Sequence, residues 1–295
     1  MPAVNERWID VSVHNGAVDW PKVAASGVKG AVLRAGYGDD ISQRDARFAA
    51  NIGGVRSAGM KAAVYWFSYA DSPADARREW AVCRKIIQPY RGKIQFVAYD
   101  YEYDSARYYR KIHGTDPTAA LINSMADAFL GAAAADGWKT VLYTDNDYRK
   151  NVFSAATLAK WDIWLADYAG AADAACSLRQ TGTEGTVPGI PGAVDLDEVY
   201  RDFSLPAYTC DTSGTVAVAR GAAYQVEITT ASEPNVTAGT GDVVTILPRS
   251  RFGNQWFYYL VPIGRPGDEA GIYINGVRQL IVKIASRATR RKGNK

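Results

Sequence analysis

Short apolar runs alternate with longer amphipathic stretches from residue 8 to about residue 200 of this 295-residue chain. Strands separated by helices indicate a parallel α/β sheet, whereas strands joined by tight turns are typical of all-β folds. Eight such strands predict a closed barrel, an irregular TIM-like β/α barrel. The predicted strands are Trp8–Val13, Gly30–Ala35, Lys61–Phe67, Ile94–Tyr99, Thr140–Thr144, Ile163–Ala166, a weak one near Cys176–Gln180, and Ala193–Val199.

Four helices are predicted between these strands. The clearest follows Ser72, whose hydroxyl can cap free backbone N–H groups; Pro73 suits its first turn, and Pro89 ends it. In β/α barrels the functional side chains lie at the carboxyl ends of the strands, so that edge is where we look for chemistry. The other predicted helices are Trp20–Ser26, Asp45–Ala58 and an alanine-rich one from about Thr115 to Gly137.

A second domain is predicted after the barrel, because the runs beyond about residue 203 alternate without helices between them. The dipeptide Asn275-Gly276 is the strongest short signal for a β-hairpin between the last two runs. We expect the barrel at 1–205, a linker at 206–216, a small all-β domain at 217–285 and a basic tail at 286–295. The predicted strands of that domain are Tyr224–Thr229, Asp242–Leu247, Gln255–Val261, Gly271–Ile274 and Val277–Ile284.

Positive charge is concentrated at the C-terminal end. The formal net charge is +3, but residues 206–295 hold 11 Lys/Arg and 6 Asp/Glu, a net of +5. A solubilising tail is one interpretation, and attraction to a polyanion such as a wall polymer or nucleic acid is the other. No basic helix or nucleic-acid motif accompanies the tail, so nucleic acid is not an expected partner.

Composition excludes several classes of protein. Three cysteines without a CxxC pair indicate neither a zinc knuckle nor a disulfide framework, and two histidines leave little room for a His-rich metal site. No apolar window reaches the roughly 18 residues of a membrane span. Charges at Glu6, Arg7 and Asp10 interrupt what would be the apolar core of a signal peptide. We therefore expect no cofactor, metal or membrane contact, and synthesis in the cytoplasm.

Acidic residues recur at the ends of the predicted strands. Asp10 lies in the first strand, Asp195 in the last, and Asp100 and Glu102 follow the apolar run of the fourth. Residues two apart on a strand point to the same face, so Asp100 and Glu102 are expected to face the barrel mouth together. The first and last strands are neighbours in a closed barrel, which brings Asp10 and Asp195 to the same mouth.

Glycoside hydrolysis requires a pair of carboxyl groups. One is protonated and gives its proton to the leaving oxygen, and the other is ionised and stabilises, attacks or activates water at the sugar carbon. Crowding carboxylates raises the pKa of at least one of them. Taken alone, each acid can also be interpreted as a solvated loop residue, and each aromatic residue at a strand end as part of the barrel core. Aromatic residues at the same strand ends favour a glycan, because sugar rings pack on aromatic faces; these are Tyr65, Trp66, Tyr99, Tyr143, Trp164 and Tyr168.

Seven collinear segments between about residues 7 and 203 resemble the glycoside hydrolase family 25 lysozymes, the Chalaropsis-type muramidases. The segments are IDVSVHNGAVDW at 9–20, LRAGYGDD at 33–40 with Asp45, Phe48 and Asn51, AVYWFSYADSPADA at 63–76, FVAYDYE at 96–102, VLYTDNDY at 141–148, IWLADY at 163–168, and VPGIPGAVDLDEV at 187–199.

The resemblance implies hydrolysis of the β-1,4 bond between N-acetylmuramic acid and N-acetylglucosamine in peptidoglycan. It assigns Glu102 as general acid, Asp100 as stabiliser, base or nucleophile, and Asp10 and Asp195 as further catalytic acids. A phage endolysin, released from the cytoplasm to the wall, fits the missing signal peptide, and so does a bacterial enzyme exported by another route. The substrate-binding residues expected from the matching segments are Arg34, Tyr65, Trp66, Tyr143, Trp164 and Asp167.

Two segments depart from the family pattern. Arg179-Gln180-Thr181 stands where many members have Trp-Gln-Tyr, which bears on the local wall of the cleft. His14-Asn15 stands where a Gln is frequent. His14 lies near the proposed site, where we favour a structural or substrate-contacting role over proton transfer.

The C-terminal module resembles no known family. A wall-binding role, with anionic wall polymers as ligands, is expected by analogy with multidomain muramidases.

Three other functions compete with muramidase activity. A non-catalytic glycan-binding barrel is one, although all four acids are present. A chitinase-like enzyme is another, but Gln95 and Ala98 break the longer DxxDxDxE pattern. A nucleic-acid-binding protein, the third, would show salt-sensitive binding to DNA.

Overall fold

The computed structural model describes residues 3–170, 174–204, 208–231, 233–275 and 277–286. Contacts divide the chain into two compact units, Met1–Leu205 and Pro206–Lys295. None of the helices in the described ranges is long and apolar enough to cross a membrane.

The first unit contains the predicted barrel, so the predicted fold class is confirmed. Its strands close in chain order. They are β1 (Ala3–Val11), β2 (Gly30–Tyr37), β3 (Lys61–Phe67), β4 (Ile94–Asp100), β5 (Thr140–Asp145), β6 (Asp162–Ala166), β7 (Leu178–Gly185) and β8 (Val194–Arg201). Strands β1 to β7 run parallel, whereas β8 is antiparallel to both β7 and β1. The inverted last strand is what makes this barrel irregular.

Seven α-helices accompany the barrel strands in the part of the first unit that the structure describes. They are α1 (Trp20–Ala25), α2 (Phe48–Ser57), α3 (Pro73–Ile87), α4 (Tyr103–His113), α5 (Ala119–Ala135), α6 (Asn146–Asn151) and α7 (Ala155–Lys160). The sequence did not predict α4, α6 or α7. Helix α4 is rich in charged residues and buries only Ser105, and α6 and α7 have six residues each, too few to show a helical period.

Strand alternation divides the buried side chains of the barrel into two layers. Side chains that point inward fill the barrel core, among them Trp8, Phe96 and Trp164. Side chains of opposite parity pack under the helices, among them Ile9 and Val97. A residue's parity on its strand therefore decides whether it can reach the barrel mouth.

The second unit consists of two four-stranded sheets, ordered β10-β16-β15-β12 and β13-β14-β11-β9. Its strands are β9 (Thr209–Cys210), β10 (Gly214–Ala219), β11 (Tyr224–Thr229), β12 (Val236–Ala238), β13 (Val244–Phe252), β14 (Gln255–Pro262), β15 (Glu269–Ile274) and β16 (Val277–Ala285). Buried residues from both sheets, such as Val226, Leu260 and Ile272, form one core.

The predicted linker at 206–216 overlaps two strands of the β unit. Strand β9 pairs with β11, and β10, which begins at Gly214, pairs with β16. Strand β9 has two residues and β10 alternates valine with alanine, so neither shows a polar–apolar pattern in the sequence. The predicted hairpin is present as the antiparallel pair β15–β16, although its Gly276 and the tail from residue 287 lie outside the described residues.

Candidate active site

The mouth of the barrel holds a cavity of about 440 Å³ into which all four predicted acids project. Asp10 comes from β1, Asp100 from the end of β4, Glu102 from the start of α4, and Asp195 from β8. The other lining residues are Ser12, His14, Asn15, Arg34, Tyr65, Phe67, Tyr143, Trp164, Tyr168, Gln180 and Thr183.

Alternation along β4 places Asp100 and Glu102 on the cavity side. Phe96 and Ala98 point into the barrel core, and Asp100 continues that face. Tyr99 and Tyr101 have the opposite parity and are buried under the helices. The chain then turns into α4, where the backbone N–H of Glu102 donates to Ser105 Oγ at 3.2 Å. The helix start therefore holds Glu102 at the rim next to Asp100.

Asp10 and Asp195 are direct partners on the antiparallel β1–β8 ladder. Opposed residues on such a ladder have Cα atoms about 4.5–5.5 Å apart. Because β8 runs against the other strands, its amino-terminal half lies at the mouth, and this brings Asp195 to the carboxyl end of β1.

Burial controls the proton affinity of Asp10. Its side chain is 6% exposed, and burial together with the neighbouring Asp197 and Asp195 raises its pKa well above the ordinary value. The side-chain amide of Gln180, whose Nε2 donates to Asp10 Oδ2 at 2.8 Å, opposes that shift. Asp10 therefore holds its proton to a higher pH than an exposed aspartate does.

The Asp100–Glu102 pair shows the same competition. Burial, and then the adjacent Glu102 carboxyl, raise the pKa of Asp100, while Arg34 opposes the shift. Burial also raises the pKa of Glu102, and a hydrogen bond with Asp100 partly offsets the rise. Asp100 is 5% exposed and Glu102 only half-buried, so Glu102 is the member of the pair that a ligand in the cavity can reach.

Gln180 connects the acids to the aromatic wall. Besides donating to Asp10, it accepts hydrogen bonds at its Oε1 from the hydroxyls of Tyr143, at 3.0 Å, and Tyr168, at 2.8 Å. All three of these polar contacts converge on one buried amide, whose orientation they determine. Gln180 was not among the predicted site residues, although it stands in the Arg179-Gln180-Thr181 segment.

Arg179 supports the wall in that same segment. Its buried guanidinium donates to the backbone carbonyls of Asp167 at 2.7 Å, Gly170 at 2.6 Å and Ala169 at 3.2 Å. The loop after β6 is therefore held by a charged side chain at the first position of this run. The departure from Trp-Gln-Tyr keeps the glutamine in the cavity and fixes the adjoining loop by hydrogen bonds.

Arg34 is the cation of the cavity wall. Its Nε donates to Asp45 Oδ2 at 2.9 Å, and the buried Asp45 carboxylate also accepts from the backbone N–H groups of Val13 and Arg47. This anchor orients the guanidinium toward Asp100, the carboxyl whose pKa rise it opposes.

Three of the predicted aromatic residues form one wall. The ring of Trp164 makes edge contacts with Tyr143, at 4.8 Å between centroids, and with Tyr65, at 6.1 Å. All three line the cavity. The indole of Trp164 is fixed further by a hydrogen bond of 2.8 Å from its Nε1 to Asp197 Oδ1.

Trp66 does not reach the cavity, contrary to the sequence-based prediction. Its neighbour Tyr65 points into the mouth, so Trp66 has the opposite parity and is fully buried under the helices. Its Nε1 donates to the carbonyl of Gly38 at 3.2 Å. A Cβ at Gly36 would lie 2.8 Å from the Trp66 ring, so this residue is a tightly packed part of the core.

Asp167 and His14 occupy the periphery. Asp167 lines a neighbouring cavity of about 530 Å³, which shares Glu102, Tyr143 and Tyr168 with the first. His14 is exposed at the rim of the first cavity. Within the described ranges, no group of three or more His, Cys, Asp or Glu side chains is arranged to hold a metal ion.

Asp197 is a fifth acid at this site and was not among the predicted site residues. It lies on β8 with the same parity as Asp195 and is completely buried, one step deeper in the barrel. The same period-two rule that paired Asp100 with Glu102 could have paired Asp195 with Asp197.

Comparison with known sequences decides the family of this site. The sequence model described as glycosyl hydrolases family 25 matches residues 9–183, which is more than half of the chain and includes Asp10, Asp100 and Glu102. The chain belongs to glycosyl hydrolase family 25. The family 25 match ends before Asp195, which the barrel closure adds to the site. Among curated proteins, no sequence is similar enough to this chain to indicate a relative.

Solved structures share the family 25 barrel. The modular autolysin LytC from Streptococcus pneumoniae, in complex with a synthetic peptidoglycan ligand, has 22% identity, a TM-score of 0.59, and coverage of 66% of this chain and 47% of its own. This chain thus spans about half the length of LytC. The CTP1L endolysin has 21% identity, a TM-score of 0.55 and 74% coverage of both chains.

The catalytic domain of endolysin ply40, from bacteriophage P40 of Listeria monocytogenes, is similar over nearly its whole length. It has 18% identity, a TM-score of 0.55, and coverage of 68% of this chain and 95% of its own. At such identities these structures establish the shared fold.

Proposed function

We propose that this family 25 protein is a peptidoglycan hydrolase, a lysozyme that cleaves the β-1,4 bond between N-acetylmuramic acid and N-acetylglucosamine. The observation that carries the proposal is the cavity at the barrel mouth, where Asp10, Asp100, Glu102 and Asp195 face one space beside an aromatic wall. Glycoside hydrolysis needs carboxyl groups in two protonation states around one sugar bond, and crowded, partly buried acids supply them.

Glu102 is the proposed general acid. A proton donor must hold its proton near neutral pH and must also touch the leaving oxygen. Burial raises the pKa of Glu102, and the nearby Asp145 raises it further, while the side chain keeps access to both cavities. Asp100 lines the same cavity but is less exposed than Glu102, and we assign it to orienting Glu102, with which it shares a hydrogen bond.

Asp195 is the proposed ionised partner. Burial raises the pKa of Asp195 as well, but Asp195 is the less buried member of the pair that it forms with Asp10. A carboxylate facing the sugar carbon stabilises the positive charge that develops there in the transition state. Asp10, the more buried member of the pair, is the neutral neighbour of Asp195 in this proposal.

The aromatic wall and Arg34 are the proposed substrate contacts. Tyr65, Tyr143 and Trp164 offer apolar ring faces and edges beside the acids, as packing of a sugar ring requires. The anchored guanidinium of Arg34 supplies directed hydrogen-bond donors on the wall of the same cavity as Asp100.

Digestion of purified peptidoglycan tests the proposal. Reducing ends are labelled, and fragments are identified by mass spectrometry, for the wild type and for Glu102→Gln. We expect new N-acetylmuramic acid ends with the wild type only. Ends at N-acetylglucosamine would replace the muramidase assignment with a glucosaminidase in the same cavity. Wall binding without cleavage by the wild type would indicate the competing glycan-binding protein.

We further propose that the second unit binds the wall, with anionic wall polymers as ligands. The outer face of its β13–β14 pair supports this proposal. Phe257 and Tyr259 are half-buried there, Phe252 is 78% exposed, and the guanidinium of Arg249 lies 5.1 Å from the Tyr259 ring centroid. Sedimentation of the full chain with intact walls, and with walls stripped of anionic polymers, tests it. Arg249→Ala should sediment less with intact walls only, while Arg278→Ala on the other sheet serves as control.

The bacterial cell wall is the proposed place of action. Similarity of the barrel to the CTP1L and ply40 endolysins supports an endolysin-type route, in which a cytoplasmic pool reaches the wall at lysis. Expression in a host cell with and without a separate pore-forming protein tests this route. Lysis should require the pore, and lysis without it would contradict the route.

A further inference from the structure

Asp197 carries a carboxyl oxygen that nothing in the described part of the chain pairs. The residue is completely buried inside the barrel, below the cavity. Its Oδ1 accepts the indole N–H of Trp164 at 2.8 Å, whereas its Oδ2 has no hydrogen-bond partner among the described residues. A buried carboxylate oxygen without a hydrogen bond reduces the stability of the folded state. We therefore expect this oxygen to carry a proton or to accept one from a neighbouring donor.

The strand register brings Asp10 next to that oxygen. On the β1–β8 ladder Asp195 is opposite Asp10, and Asp197 is opposite Trp8, one inward-facing step deeper. Asp197 is therefore the diagonal neighbour of Asp10, at a Cα separation of about 7–8 Å that two side chains can bridge. Of the polar groups that act on Asp197, Trp164 lies on β6, Asp10 on β1, and Asp195 on its own strand.

The donor on the other side of Asp197 is already engaged. Gln180 on β7 is the direct ladder partner of Asp197. Its Nε2 nevertheless donates to Asp10 Oδ2, and its Oε1 accepts from Tyr143 and Tyr168. Gln180 thus holds one oxygen of Asp10 as an acceptor, which leaves Asp10 Oδ1 as the atom that can bear a proton.

We infer that Asp197 is a positioning residue that shares one proton with Asp10, so that Asp10 stays neutral beside an ionised Asp195. The inference rests on the proposed hydrolase function and adds a role for an acid outside the four assigned there. The shared proton resides on Asp10 Oδ1 and is donated to the open Oδ2 of Asp197. Two carboxylates this close and this buried do not both ionise near neutral pH.

The consequence lies in where the negative charge sits. With the proton on Asp10, the charge of the buried pair rests on Asp197, away from the cavity. Asp195 then faces a neutral neighbour across the ladder and ionises more readily than it would beside an anionic Asp10. Burial raises the pKa of both Asp10 and Asp197, in agreement with a retained proton.

Asp197→Asn in the full chain tests this arrangement. The asparagine keeps the acceptor for Trp164 and puts a fixed N–H donor where the shared proton was. Asp10 can then ionise, and its charge moves next to Asp195. We expect the acid limb of the pH profile of kcat/KM on peptidoglycan to move up by about half to one pH unit. We also expect kcat to fall by about tenfold, with KM changed less than twofold.

Folding provides a second measurement that does not depend on activity. The folded wild type retains a proton that an unfolded Asp releases near pH 4, so this contribution to stability is full below that pH and is lost as pH rises. The difference between the urea midpoints of Asp197→Asn and the wild type should therefore grow in favour of the variant from pH 4 to pH 7. Asp197→Ser, which also removes the carboxyl, should show the same trend if the asparagine variant folds poorly.

The control is Asp116→Asn, which removes an exposed carboxyl from the barrel unit. The difference between its urea midpoint and that of the wild type should not change with pH. A flat difference for Asp197→Asn as well, or an unmoved acid limb, overturns the shared proton. If the wild type cleaves no peptidoglycan while the stability difference still grows with pH, the proposed hydrolase function fails and the shared proton stands.

Discussion

Asp10 and Asp195 lie directly opposite each other on the ladder that closes the barrel, although they come from its first and last strands. The pairing exists because β8 runs antiparallel to β1, so that the beginning of β8 meets the end of β1. One closing ladder thus brings the N-terminal and C-terminal ends of the barrel sequence into a single cavity with Asp100 and Glu102.

Replacement of Glu102 by Gln should lower turnover by about three orders of magnitude, because the amide cannot donate a proton to the leaving oxygen. The fold should persist, since Gln has the same shape and the residue is half-buried. Initial rates on purified peptidoglycan measure the loss. Tyr103→Phe, which removes only a hydroxyl bonded to Asp147 at the rim, is the control and should stay within threefold of the wild type. Near-normal activity of Glu102→Gln would remove it as the acid.

Two replacements of Gln180 should separate the contributions that its contacts make to activity. One is the orientation of the two tyrosines, and the other is the hydrogen bond donated to Asp10. Gln180→Glu keeps an acceptor for Tyr143 and Tyr168 but loses the N–H that bonds Asp10 at 2.8 Å. We expect kcat to fall about 10- to 100-fold with little change in KM. Gln180→Leu loses all three contacts and should also raise KM. Equal KM values for the two variants would show that the tyrosine contacts do not position substrate.

Tyr65 and Trp66 should respond oppositely to truncation, because they face opposite sides of β3. Trp66→Ala leaves a void in a fully packed core and should reduce the free energy of unfolding by about 3–5 kcal/mol. Tyr65→Ala should instead raise KM for peptidoglycan fragments with a smaller loss of stability. Urea denaturation and steady-state kinetics of both variants measure the contrast, and a KM effect confined to Trp66→Ala would contradict the assignment.

Glu79 should make stability depend on pH. Its fully buried carboxyl on α3 accepts from Ser68 Oγ at 2.6 Å and from the backbone N–H of Tyr69 at 2.8 Å. Burial raises the pKa of Glu79 to about 8, while these two hydrogen bonds oppose the rise and Asp75 and Asp39 add to it.

The sign of that dependence follows from linkage. The folded state holds the proton of Glu79 more tightly than the unfolded state, so the stabilising contribution is full below about pH 4.5 and is lost between there and about pH 8. Glu79→Gln stays neutral, so its free energy of unfolding should fall less over that range. By pH 8 the difference from the wild type should have shifted by about 2–4 kcal/mol in favour of the variant. Chemical denaturation across pH 4–9 measures this, with the exposed Glu184→Gln as an unchanged control. Parallel curves for the wild type and Glu79→Gln would contradict the prediction.

Much of the barrel follows from local sequence. Strand-like runs and capped helices predicted its eight strands and the helices α1, α2, α3 and α5, because apolar periodicity reports which face of an element is buried. Helix α4 was not predicted, since it is rich in charged residues and buries only Ser105. The short strands β9 and β10 of the second unit were not predicted either, because β9 has two residues and β10 alternates valine with alanine, so neither shows a polar–apolar pattern.

The residues of the site likewise divide into those that local sequence predicts and those that only the tertiary structure brings together. By itself the sequence determined that Asp100 and Glu102 share a face, because alternation along a strand is local geometry. The same rule excludes Trp66 once Tyr65 is placed at the mouth, and joins Asp197 to Asp195. The closure of first strand on last also predicted that Asp10 and Asp195 share one mouth. Only the tertiary structure decided that β8 runs antiparallel, which pairs these two residues directly on one ladder, and that Gln180 reaches Asp10 from β7. Strand direction and closure depend on contacts between distant segments, and no local pattern encodes them.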